Sequence, residues 1–133
     1  QDWDGCVKLG ESAVYPLIKE FYSGNQKDIC KALEKIGKPA VEPLIGEFYH
    51  LEEQEEAEGL KRLIIETLIR IGDKRAEDLF FEALEEKTGY FTWRSELDTK
   101  LRIRAAELLV RTKSLMYEES AKEALEELGH EVD

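Results

Sequence analysis

Apolar and polar positions alternate along this chain with a helical period, and one stretch states the pattern twice. Ala13, Val14, Leu17, Ile18 and Phe21 fall at i, i+1, i+4, i+5 and i+8, one broad face of an α-helix. Ala40, Val41, Leu44, Ile45 and Phe48 restate that face 27 residues later, and the same offset carries Gly10 to Gly37, Pro16 to Pro43 and Tyr22 to Tyr49. The pattern predicts a first helix over about 12–22, a break at Ser23-Gly24-Asn25, and a partner helix over about 26–36 that buries Ile29, Leu33 and Ile36. Gly37 is expected to close the partner helix with a left-handed residue. Pro16 lies in the early turns of its helix, where a missing N–H costs little.

The second repeat then departs from the first. Glu52-Glu53-Gln54-Glu55-Glu56-Ala57-Glu58 lengthens the turn before a helix over 60–71, apolar on most sides and expected to be the most buried of all. Glutamates at the start of a helix suit its positive end. A third repeat begins at Ile71-Gly72, with Ala76, Leu79, Phe80, Ala83 and Leu84 on its first helix. A second insertion, Thr88 to Ser95, precedes a partner helix over about 98–112. A last helix over about 117–128 ends Ala124-Leu125-Glu126-Glu127-Leu128-Gly129, much as the first repeat ends at Gly37. It is expected to close the stack with its glutamates facing water. Residues 1–10 read as the tail of a preceding helix, so either further repeats come before them or they act as a cap.

A repeat of this length marks a stack of helical pairs, none of which buries its apolar face alone. Leu/Ile-Gly, a short turn, Ala-Val-x-Pro-Leu-Ile and a second helix ending Ala-Leu-x-x-Ile-Gly resemble the HEAT-like repeat, in the variety found in phycobilisome lyases. The resemblance covers about residues 5–129. It implies an all-α, right-handed solenoid forming one domain over 1–133, with repeats at about 11–37, 38–72 and 73–113 and a capping helix over 115–129. It also implies an inter-repeat role for a cation on each second helix with an acid six residues before it. Arg102 with Glu96 and Lys61 with Glu55 match that spacing. Gln26 replaces the cation in the first repeat, and Lys113 stands where the third should have its closing glycine.

Composition narrows the function. With 133 residues, 42% apolar and 37% charged, the chain can bury a real core. No apolar run approaches the roughly 20 residues of a membrane span. A formal net charge of −11 opposes a phosphate-tracking surface. Cys6 and Cys30 have no metal-ligand spacing and read as small buried thiols of a cytoplasmic protein. His50 and His130 follow no metal-binding spacing, and no glycine-rich phosphate loop or nucleophile–base pairing is written in the chain. No catalytic residue, metal or cofactor is expected.

Two features stand out. The loop Tyr90-Phe91-x-Trp93-Arg94 combines aromatic anchors with an arginine, as interfaces do; its rings could equally fold back and seal an edge of the stack. The residues two before the closing positions are Lys8, Lys35, Arg70 and Arg111, all basic in an acidic chain. Second helices line the concave face of HEAT-type stacks, so these side chains, widened by Lys31, Lys100 and Arg104, are expected to form a basic column there. Cations near helix C-termini also offset the helix dipole locally. The function expected is a non-catalytic scaffold that binds a protein or an acidic peptide on its concave face. Two alternatives follow from the resemblance. One is a bilin lyase-like chromophore-handling protein, and the other a HEAT-like nucleic-acid-binding protein, which would need a basic groove.

Overall fold

The computed structural model describes residues 5, 8–52, 58–85 and 95–129, and every regular element among them is helical. None of these helices is long and apolar enough to cross a membrane. The chain divides into two compact units, Gln1–Asp73 and Lys74–Asp133.

In the N-terminal unit α1 (Glu11–Lys19) runs into a 3-10 turn (Glu20–Ser23) and is followed by α2 (Gln26–Ile36). A 3-10 turn at Lys38–Ala40 leads into α3 (Val41–Leu51), and α4 (Glu58–Ile71) follows. Helix α1 packs on α2 and α3 on α4, while α1 also meets α3 and α2 meets α4. Each of the two segments related by the 27-residue offset forms a pair of packed helices, and the pairs meet each other. Phe21, Leu33, Leu44, Phe48, Ile64 and Leu68 are fully buried. Leu63 and Ile71 of α4 remain half-exposed, so its burial is deep but not all round.

The α-helical part of the first helix stops at Lys19 rather than running to Tyr22. Its last turn tightens to 3-10, a common way of satisfying terminal carbonyls. The Ser23 hydroxyl donates to the Glu20 carbonyl at 2.9 Å, and the Gln26 amide donates to the Phe21 carbonyl at 3.0 Å.

In the C-terminal unit a 3-10 turn (Lys74–Ala76) precedes α5 (Glu77–Leu84), α6 (Glu96–Arg111) and α7 (Glu118–Glu127), which all pack on one another. Ala76, Leu79, Phe80, Ala83 and Leu84 are buried. Helix α6 starts two residues earlier than the apolar pattern indicates because Ser95 caps it, its hydroxyl accepting from the Asp98 N–H at 3.3 Å. Tyr117 fixes the entry to α7. Its ring stacks on Phe81 at 4.4 Å and its hydroxyl donates to Asp78 at 2.7 Å. Ala121 and Leu125 face inward, whereas Glu119, Glu123, Glu126 and Glu127 are exposed.

A left-handed residue stands at each of the expected closing positions. Gly10, Gly37, Gly72 and Gly129 have φ of 60°, 80°, 75° and 75°, and Lys113 adopts φ 53° at the equivalent place. The Ser114 N–H reaches the Leu109 carbonyl and the Lys113 N–H that of Val110, both at 3.1 Å. That pair of bonds is a Schellman cap, a motif that favours glycine at the position Lys113 fills.

Candidate partner-binding surface

Lys31 and Lys35 lie one turn apart on α2, so both project from one stripe of that helix. Arg70 stands in the last turn of α4, the helix beside it. All three are exposed. Arg70 binds back to carboxylates on both helices: Nη2 lies 2.8 Å from Glu66 on its own helix and Nη1 lies 4.0 Å from Glu34 on α2. In the C-terminal unit Lys100, Arg104 and Arg111 share one stripe of α6 and are exposed as well. Lys100 pairs with Glu96 at 3.3 Å. An exposed pair such as Lys100–Glu96 contributes only about 0–1 kcal/mol, so an incoming carboxylate can exchange for Glu96 at little cost. Lys35, Arg70 and Arg111 each sit in the last turn of their helices, so each also complements a helix dipole. Lys8 is exposed.

Lys61 and Arg102 are the buried cations among the described residues. Arg102 Nη2 donates to the carbonyl of Leu84, the last residue of α5, at 3.3 Å. Gln26 stands at the same place in the first repeat and donates to Phe21, whose position is equivalent to that of Leu84. Both side chains donate to a main-chain carbonyl at the end of the preceding helix, Gln26 from the first residue of α2 and Arg102 from within α6. Lys61 is buried at that place in the second repeat, with Nζ 3.3 Å from Glu58. Sequence reasoning missed the likeness because an amide and a guanidinium share an N–H donor but not a charge. The acid six residues earlier does not join Arg102. Six residues are about 1.7 turns of helix, which leaves Glu96 at the exposed start of α6 with Lys100 while Arg102 points inward.

Cys30 is a free, buried thiol on α2. Burial pushes its pKa up and the nearby Glu66 and Glu34 add to that, while a hydrogen bond with Thr67 works the other way. A thiol held in its neutral form is a poor nucleophile. His50 is exposed at the end of α3. No group of three or more His, Cys, Asp or Glu side chains among the described residues could hold a metal ion. A shallow hollow at the start of α2 is lined by Gly24, Asn25, Gln26, Lys27, Asp28 and Leu63, without a nucleophile–base pair. Glu55 and the rest of residues 53–57, the loop with Tyr90, Phe91, Trp93 and Arg94, Cys6 and His130 lie outside the described residues.

Three exposed tyrosines were not singled out by sequence. Tyr15 and Tyr22 lie on the α1 side and Tyr49 on α3. The Tyr22 hydroxyl donates to Glu47 across the two helices at 2.5 Å. That bond, with some burial and the charge of Glu47, pushes the Tyr22 pKa up to about 12. The signal was present, since Tyr22 and Tyr49 are 27-residue equivalents outside both apolar faces, but a position off the core face is not thereby marked as a contact surface. Compared with protein-family models, with curated proteins and with solved structures, the chain finds no match.

Proposed function

We propose that the protein is a non-catalytic scaffold, a HEAT-like stack of helical pairs whose second helices capture an acidic segment of a partner protein. The observation that carries the reading is the placement of Lys31 and Lys35 on α2 beside Arg70 on α4, all exposed in a chain of net charge −11. Cations surrounded by acidic surface attract an anionic ligand locally and repel it elsewhere, which selects for one docking register. The C-terminal unit carries its own stripe of exposed cations, Lys100, Arg104 and Arg111 on α6.

The test uses a fluorescent peptide of alternating Glu and Gly. The wild-type protein should bind it with an affinity that falls as salt rises. The Lys35→Gln/Arg70→Gln/Arg111→Gln variant should bind it at least tenfold more weakly, with a shallower salt dependence. Its stability should fall by no more than about 1–3 kcal/mol, the combined helix-dipole effect. Equal binding by wild type and variant would leave the three cations with only their helix-dipole role.

A further inference from the structure

We infer that the first-helix layer of the N-terminal unit is a second docking surface, built for a segment rich in arginine or lysine. Glu11, Tyr15, Lys19 and Tyr22 succeed one another at intervals of three or four residues on the α1 side, and Glu42, Gly46 and Tyr49 do so on α3. The two helices pack on each other, and by the 27-residue offset Tyr15 corresponds to Glu42, Lys19 to Gly46 and Tyr22 to Tyr49.

All seven residues are exposed, the tyrosines by 65%, 59% and 46% in chain order. Tyr22 is held in place by its bond to Glu47, so the face carries an aromatic side chain with a carboxylate fixed beside it. Gly46 has no heavy atom within 4 Å of where a Cβ would stand, which leaves the stripe open between Glu42 and Tyr49. Tyrosine faces attract cations, guanidinium most of all, and carboxylates at the ring edges take the remaining N–H donors. Glu11, Glu42 and Glu47 outnumber Lys19 and Lys38 on this face by one, within a chain of net charge −11, so charge favours a basic occupant over an acidic one. This surface is on the layer opposite α2 and α4 and does not rest on the acidic-segment reading.

The probe is a fluorescent peptide of alternating Arg and Gly, titrated at low salt and at about 0.15 M salt. Wild type should bind it, and backbone amide shifts should change along α1 and α3. Tyr15→Ala/Tyr22→Ala/Tyr49→Ala should weaken binding about tenfold or more with net charge unchanged, whereas the triple Phe variant should retain it, because the ring face is kept. Lys19→Glu should tighten it. Circular dichroism checks that each variant is folded. If the triple Ala variant binds as wild type does, the peptide senses only the overall charge, and the proposal fails. It also fails if wild type does not bind, or if the Phe variant loses binding with the Ala variant. The Lys35→Gln/Arg70→Gln/Arg111→Gln variant should bind this probe no less tightly than wild type, which separates the two surfaces.

Discussion

Single residues reveal the repeat most sharply where the local chemistry is least comfortable. Lys113 holds φ 53° in a Schellman cap, a conformation that costs an L-residue about 1–2 kcal/mol. Lys113→Gly should therefore stabilise the protein by about 0.5–1 kcal/mol, the strain relieved less the greater freedom of glycine in the unfolded chain. Urea denaturation reads this directly, and a loss of stability would mean that Lys113 makes a compensating contact. Gly37 gives the converse. Its φ of 80° and ψ of −128° lie outside the ground that side chains favour, and an added Cβ would touch nothing. Gly37→Ala should cost about 1–2 kcal/mol through the backbone alone.

Tyr22 supplies a pH prediction. Its pKa rises from the ordinary 10.0 to about 12 in the folded protein, so above pH 10 the unfolded chain gives up a proton that the folded chain keeps. The Glu47 bond therefore contributes fully below pH 10, and its contribution disappears as the pH climbs toward 12. Absorbance at the phenolate band should show a late-titrating component that Tyr22→Phe diminishes by one tyrosine. An unchanged titration in that variant would assign the late group elsewhere.

At the scale of elements, the 27-residue period made the N-terminal unit legible, because duplicated apolar faces leave few ways to bury both. Helix α2 was bounded at Gln26 and Ile36 from glycine, asparagine and the apolar spacing alone. The starts of α4 and α6 fell two residues before their expected positions, since the first turn of a helix is polar and carries no apolar period. Side-chain joints were harder to read. Arg102 was expected to join adjacent repeats with Glu96, whereas it donates to the main-chain carbonyl of Leu84 within the C-terminal unit, and main-chain acceptors leave no mark in a sequence. The tyrosine stripes were hidden for a related reason: a helix pattern separates inside from outside, not solvent from partner. Leu68, fully buried on α4 in the layer shared with α2, tests the register itself. Leu68→Ala should lower stability by about 2–5 kcal/mol, and an unchanged melting temperature would refute the packing.

The whole molecule is acidic, with 19 basic side chains against 30 acidic ones, so any binding surface on it works against or with that field. The proposed scaffold uses both signs, cations on the second helices for an acidic segment and tyrosines with carboxylates on the first helices for a basic one. Its central claim is that Lys31 and Lys35 on α2 and Arg70 on α4 form one anion-binding surface on two packed helices. Dipolar broadening between spin labels tests that placement most directly, with Lys35→Cys and Arg70→Cys placed in a chain whose Cys6 and Cys30 are replaced by Ser and Ala. Packed helices stand about 8–10 Å apart, which predicts labels within about 20 Å of each other and strong broadening. Unbroadened spectra, with the labels beyond about 25 Å, would contradict the shared basic surface.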